Sequence, residues 1–340
     1  MKFRKKNLLS SELLVVDGMW GVGKSIVTEL ISVFDSMESW SMDLSFDHIP
    51  LLYGEKTIRE DAAITLIRNL FDITTYNMSI SRSINFRYKD HTSIFKHPKK
   101  YDYIFRLLEQ GGEDSCKKIV ENRMIIPIAT HMALSNNDLF LKALGKRCKI
   151  IRCVRHPLFM IDHWASYIDR CQTDPIEFNL KIDYKGENIP FFAKGWEDEY
   201  LKANNFEKSI KSIVVLTENY KHNFAKIRKK HGDKSVLEIS FEDVVKNTDH
   251  VISLIATFIG RSVNNKTYKR VKKKQFLPRN TIDSGSGYIS KEWSNNKEKK
   301  SEKESLSQNL DLIKNNVRRK YYEDLIKLIN DYENKWINGC

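Results

Sequence analysis

Leu13-Leu14-Val15-Val16-Asp17-Gly18-Met19-Trp20-Gly21-Val22-Gly23-Lys24-Ser25 is the stretch that decides the fold. Leu13 to Asp17 is a short apolar run that predicts a buried strand, and the periodic segment from Lys24 to Met37 predicts a helix. The residues between them satisfy G-x4-G-K-[ST], and a strand before and a helix after are the context that pattern needs. Glycines let the backbone curl so that successive N–H groups face phosphate oxygens. The lysine adds a mobile positive charge, and the helix N-terminus adds its own partial charge. Asp17, at the strand end, is placed to brace the loop. The bland alternative is a chance glycine-rich turn beside a surface lysine. Strand and helix on either side favour the phosphate reading, which names neither the nucleotide nor the reaction.

Outward from this loop, apolar strands alternate with helices. Trp40 to Met42 reads as a second strand, Met124 to Ala129 and Cys148 to Val154 as central strands, and Val236 to Ser240 as a fifth. Helices are expected over much of residues 55–122, over Ala133 to Leu144, from Pro157 to Arg170, over Phe206 to Lys230, and near Glu242 to Lys246 and His250 to Ile259. Asp174-Pro175, Gly186 and Pro190 mark residues 172–195 as a loop or small hairpin. Leu310, Ile313, Val317, Tyr321, Leu325, Leu328 and Tyr332 stand at helical spacing, so Leu306 to Ile337 reads as one long amphipathic helix. This alternation predicts an α/β fold: a three-layer α/β/α arrangement of the P-loop type, with a mostly parallel central sheet and helical insertions. Residues 1–303 are expected to form that domain, with acceptor-side insertions at about 43–122 and 172–205. The amphipathic helix occupies 304–340 and either packs on the domain or supports a homo-oligomer.

Composition fits a globular chain: 41% hydrophobic and 30% charged residues among 340, with 14 Gly and 7 Pro, which excludes collagen-like and wholly disordered classes. Lys plus Arg number 57 against 44 acidic residues, and the resulting +13 points to an anionic ligand or partner unless it reflects coding bias. The charge is dispersed and no helix-turn-helix, zinc or RNA-binding signature is present, so nucleic acid is a poor partner. No apolar run reaches the roughly 18 residues of a spanning helix, and no secretory leader is recognisable; a cytoplasmic protein without a membrane anchor is expected. Five cysteines without a CxxC pair fit reduced thiols and do not support zinc.

An ATP-using enzyme with such a loop usually places a carboxylate at a neighbouring strand end to help hold Mg²⁺. Here the central strands end in Thr130-His131 and Arg155-His156. Asp43, Glu242 and Asp243 follow other strands and keep a metal open, but a histidine and an arginine at the central positions favour a phosphate ligand bound without metal.

These residues resemble a family. Thr130-His131, then a strand ending in Ile150-Ile151-Arg152-Cys153-Val154-Arg155-His156-Pro157, then Ser240-Phe241-Glu242-Asp243-Val244 and Phe258-Ile259-Gly260, are similar in order and spacing to the PAPS-dependent sulfotransferases over about residues 13–260. The resemblance implies PAPS (3′-phosphoadenylyl sulfate) as donor and no metal. It implies Gly21, Val22, Gly23, Lys24 and Ser25 on the 5′-phosphosulfate, Arg155 on the 3′-phosphate, and His131 as the base. Lys24 would meet charge on the departing phosphate. Where the family keeps a second 3′-phosphate ligand, a serine, this chain has His163, with Ser166 one helical turn on. Arg279 sits where the family has a loop that folds over the cofactor. Three departures stand out: Ala129 replaces a frequent lysine, Phe241 replaces a tyrosine, and Gly23-Lys24-Ser25 is kinase-like.

Sulfuryl transfer needs two ends held in place and charge stabilised on a phosphate, and a neutral histidine can take the acceptor's proton near neutral pH. Trp196 and Tyr200 read either as pocket wall or as core, Arg82 and Arg87 as reaching an anionic acceptor or only solvent. The expectation is therefore a sulfotransferase acting on a hydroxyl of a glycan or small metabolite. An ATP- and Mg²⁺-dependent small-molecule kinase is the alternative, and a non-catalytic nucleotide-binding protein the third reading. The acceptor itself is not legible.

Overall fold

The computed structural model describes residues 1–5, 8–9, 11–90, 92–174, 177–279 and 302–338. Its strands are β1 (Glu12–Asp17), β2 (Ile125–Ala129), β3 (Cys148–Val154), β4 (Lys181–Tyr184), β5 (Glu187–Pro190) and β6 (Val236–Ser240). The first half holds helices α1 (Lys24–Ile31), α2 (Ser45–Gly54), α3 (Glu60–Ser79), α4 (Lys100–Arg106), α5 (Glu113–Glu121), α6 (Leu139–Leu144) and α7 (Leu158–Thr173). The second half holds α8 (Glu197–Lys202), α9 (Asn205–His231), α10 (Phe241–Lys246), α11 (Thr248–Ile259), α12 (Asn265–Lys274), α13 (Glu302–Asn316) and α14 (Arg319–Trp336).

Four strands form a parallel sheet in the order β2-β1-β3-β6, flanked by helices, while β4 and β5 make a separate antiparallel hairpin. The register pairs Val15 with Ile128 and Ile150, and Ile150 with Val236. Val15, Val16, Ile126, Ile128, Ile150 and Ile151 are fully buried, which is why these strands read as unbroken apolar runs. Each such side chain contributes about 1.5–3 kcal/mol on leaving water. Because all four strands run the same way, their carboxyl ends, at Asp17, Ala129, Val154 and Ser240, open on one edge of the molecule.

Three expectations need correction. Trp40 to Met42 forms no strand: Met37 and Ser41 make isolated parallel bridges to Ile125 and Ile128, so this segment only fringes β2. The helix expected over Ala133 to Leu144 is α6 alone. Before it the chain turns sharply through Met132 (φ 63°), and Asn137 bonds the Ala133 and Pro50 carbonyls. The long C-terminal helix is two helices, α13 and α14. At the break, Arg318 is extended (φ −64°, ψ 147°) and is gripped by Glu207, which accepts from its N–H at 2.9 Å, its Nε at 2.8 Å and its Nη2 at 2.7 Å. Glu207 also completes the capping box of α9 with Asn204. No Gly or Pro marks this break; a tertiary ion pair makes it. Tyr321, Leu325, Leu328, Ile329 and Tyr332 of α14 are buried, in part against α9, so the apolar stripe is covered by its own chain. Lys272 to Lys274 end α12; the rest of the polar segment, with Ser284, Gly285, Gly287 and Trp293, lies outside the described residues.

Candidate active site

The β1–α1 loop is built on left-handed glycines. Gly23, at φ 83°, is the N-cap of α1, which has no side-chain cap and no acidic residue in its first turn. A Cβ at Gly23 would lie 2.2 Å from the Phe241 ring, so the backbone can come this close only as glycine. A Cβ at Gly21 would meet His163 at 3.2 Å, which places that imidazole directly over the loop. Trp20 anchors the loop, its ring tilted against Trp164 and Tyr167 and edge-on to Phe192, and its carbonyl accepts from the Trp164 indole at 3.0 Å.

Lys24 is buried. Its Nζ donates to the carbonyls of Gly18 at 2.7 Å and Met19 at 2.8 Å, and burial lowers its pKa to about 8 against the opposing pull of Asp17. Ser25 is exposed at the start of α1. Arg155, just past β3, donates from Nη1 to the Gly21 carbonyl at 2.9 Å and lies over the Phe241 ring at 4.2 Å. His163, on α7, is pushed down to about 4 by burial first, then by the positive charges of Arg170, Lys24, Arg155 and His131. Ser166, one turn further, is exposed. Lys24, Arg155 and His163 thus converge on one loop.

Arg279 is tied between α10 and the end of α12: its N–H donates to the Val245 carbonyl at 2.7 Å and its guanidinium to the Gln275 carbonyl at 3.1 Å. Trp196 and Tyr200 are buried, the Trp196 indole bonded to the Phe192 carbonyl, so they are core.

At the end of β2, Asp17 does the bracing, but of the neighbouring turn and not of its own loop. Its carboxylate accepts from Thr130 Oγ1 at 2.8 Å, Ala133 N–H at 3.2 Å, Leu134 N–H at 3.3 Å and the Tyr220 hydroxyl at 2.8 Å. This fixes Thr130 and His131 beside the loop. His131 keeps a fifth of its side chain exposed and meets Asp47 of α2. Asp47 Oδ1 accepts the His131 N–H at 2.5 Å, and Oδ2 stands 3.6 Å from Nδ1. Burial raises the Asp47 pKa, and His131 opposes that rise. A narrow crevice of about 10 Å³, room for roughly one water in this conformation, lies here, lined by His48 and Leu51 of α2, by Met132, and by Asn179 and Phe191 beside the hairpin.

Two functional-site neighbours carried no sequence signal. Asp47 belongs to no motif, and its helix α2 was expected only as part of the acceptor-side insertion at about 43–122. Tyr332 sits on α14, and its hydroxyl donates to Glu242 Oε2 at 2.5 Å while Glu242 Oε1 accepts the His156 N–H at 3.0 Å.

A sulfotransferase-domain family model matches residues 72–327. The chain belongs to the sulfotransferase family. It is a transferase, and its chemistry is sulfuryl transfer. The matched span begins beyond the β1–α1 loop, so that loop is read from its own geometry. Solved sulfotransferases align at low identity: STF9 from Mycobacterium avium at 10%, covering 89% of this chain and 76% of that one, with a TM-score of 0.41. Mouse SULT7A1 complexed with PAP aligns at 13%, covering 94% and 89%, with a TM-score of 0.35. The sulfotransferase domain of the Synechococcus PCC 7002 olefin synthase aligns at 13%, covering 98% of both, with a TM-score of 0.41. No curated protein matches the chain. Among the described residues, no helix is long and apolar enough to cross a membrane.

Proposed function

We propose that this sulfotransferase moves a sulfuryl group from PAPS to a hydroxyl of a glycan or small metabolite, with His131 as general base. The observation that carries the reading is the convergence of Lys24, Arg155 and His163 on an uncapped helix N-terminus, with His131 at the adjoining strand end. The fit to a bis-phosphorylated nucleotide is chemical. Gly23 lets the loop pass close against the Phe241 ring and leaves the first N–H groups of α1 without a side-chain cap. Two cations approach from separate elements, α1 and the β3–α7 turn, as two phosphate groups require. When bound, PAPS supplies an activated sulfonate on a phosphate leaving group.

The chain's own residues do the rest. The N–H groups at the start of α1, with Lys24, hold the phosphosulfate end and stabilise charge on the departing phosphate. Arg155, braced on Phe241, and His163 hold the 3′-phosphate end. His131 takes the acceptor's proton. The cleft beside His131 draws walls from both stretches expected to shape the acceptor pocket, α2 and the segments flanking the hairpin.

The kinase reading needs a carboxylate beside Ser25. The three candidates have partners of their own: Glu242 accepts from Tyr332 and the His156 N–H, Asp43 from the Ser45 N–H at 2.8 Å, and Asp243 from Asn247 Nδ2 at 2.7 Å. A thermal-shift titration with 3′,5′-ADP and with ATP, each with Mg²⁺ and with EDTA, decides between them. Metal-independent stabilisation by 3′,5′-ADP is expected; stabilisation by ATP alone that vanishes with EDTA would sink the sulfotransferase cofactor reading.

A further inference from the structure

The cleft at His131 holds two buried polar atoms with no hydrogen-bond partner, Asp47 Oδ2 and His48 Nε2. Asp47 is only 6% exposed, and its other oxygen is committed to the His131 N–H. A carboxylate held this way has one lone-pair face left, and the nearest ring nitrogen is His131 Nδ1 at 3.6 Å. An ion-pair separation of this size closes to a hydrogen bond with a small rotation of either side chain, as catalytic contacts commonly tighten when ligand binds.

Resting on the reading of His131 as base, we infer that Asp47 is its positioning residue: it holds the proton on Nδ1 and so leaves Nε2 bare toward the acceptor. An imidazole has one proton to place, and its location is set by the bond its other nitrogen makes. With Nδ1–H directed at Asp47, the free lone pair is on Nε2. In the transfer, the acceptor oxygen forms a bond to sulfur, and its proton passes to Nε2. The sulfur–oxygen bond to the phosphate breaks, with the electron pair leaving on 3′,5′-ADP. The resulting imidazolium then faces the Asp47 carboxylate. Besides Asp47, His163 and, across the cleft, His48 stand near His131, and Lys24 and Asp17 act on Asp47 through space.

Asp47→Asn is a sharp probe because the main chain dictates how the amide must sit. The His131 N–H needs an oxygen, so the amide carbonyl takes that place and the NH2 group faces Nδ1. Nδ1 must then accept, the proton moves to Nε2, and the base is blocked without loss of the fold.

The test uses the full chain labelled with 15N-histidine, at a pH where imidazole is neutral, with the His131 signal assigned by its loss in His131→Asn. The wild type is expected to show the Nδ1–H tautomer and Asp47→Asn the Nε2–H tautomer. Turnover is probed by hydrolysis of PAPS, with water as acceptor. Asp47→Asn is expected to lose on the order of 10²–10⁴-fold in rate while binding 3′,5′-ADP as the wild type does. If His131→Asn leaves PAPS hydrolysis intact, the base reading itself fails. If His131→Asn abolishes it but the wild type carries Nε2–H, or Asp47→Asn hydrolyses PAPS at the wild-type rate, this inference alone fails. The wild-type tautomer decides the matter even where the variant does not fold.

Discussion

Two strands of the sheet, β2 at its edge and β3 inside it, run on into a histidine, and the two ends have opposite fates. After β2, His131 looks into a cleft and pairs with a carboxylate from a separate helix. After β3, His156 is 2% exposed: its Nδ1 accepts the Leu158 N–H at 3.3 Å, and its Nε2 meets Glu333 of α14 at 3.2 Å. Tyr332 packs edge-on against its ring. The difference lies in what covers each strand end. α14 seals His156, whereas α2 and the hairpin flank leave about a fifth of the His131 side chain exposed. A strand-end histidine is chemistry or scaffold according to the element laid across it.

The largest effect expected from this contrast is on turnover. His131→Ala should abolish measurable transfer, a loss of on the order of 10²–10⁴-fold for a general base, and leave the affinity for 3′,5′-ADP unchanged. His156→Ala should instead lower stability by about 2–3 kcal/mol, since it opens a cavity and strips one buried and one half-buried hydrogen bond. Calorimetric melts beside PAPS hydrolysis measure both. A His156 variant that melts like the wild type but is inactive would break the comparison.

Next comes the cofactor side. Lys24→Met should weaken 3′,5′-ADP binding by about 10- to 100-fold, the loss of a charge-assisted contact worth roughly 1.5–3 kcal/mol, read by isothermal titration. The nucleotide must draw Nζ off the Gly18 and Met19 carbonyls it holds in this structure, so the loss stays modest.

Legibility in the sequence follows the same division. The β1–α1 loop, the strands Cys148–Val154 and Val236–Ser240, and the His131 and Arg155 strand ends were readable because each is a local pattern in one run of chain. Asp47 and Tyr332 were not, because they act on residues 84 and 90 positions away. The break at Arg318 was hidden for the same reason, since Glu207, 111 residues earlier, makes it. Phe241 looked like a lost hydroxyl. In the fold its ring backs Gly23 and Arg155, while a phenol reaches the neighbouring Glu242 from α14.

That last substitution of parts gives a smaller, cleaner test of the closed end. Tyr332→Phe removes one hydrogen bond to a buried carboxylate and almost no volume. Expected is a loss of about 2 kcal/mol in denaturant unfolding, with turnover at saturating PAPS unchanged. A neutral outcome would mean that α14 is held by its apolar face and its other polar ties, such as Arg318–Glu207 and His156–Glu333, and the closure of β3 would then not depend on Glu242.

The smallest effect is in pH, and its two signs oppose one another. Burial holds Lys24 near 8 in the folded chain, below its ordinary 10.5. Between those values the unfolded chain binds the proton more fully than the folded one, so Lys24 adds to stability as pH rises through this window and takes that contribution away as pH falls toward 8. Nucleotide phosphates favour the charged ammonium, so their affinity should move the other way. It should be flat near pH 7 and fall above pH 8, by roughly tenfold for each further pH unit while Lys24 alone governs binding. Titrating 3′,5′-ADP from pH 7 to 9.5 against wild type and Lys24→Arg reads this directly, because a guanidinium does not titrate in that range. The wild-type affinity should bend and the arginine variant's should stay level. Equal bends in both would move the titrating group off Lys24, and with it the claim that this buried lysine is the charge the phosphate meets.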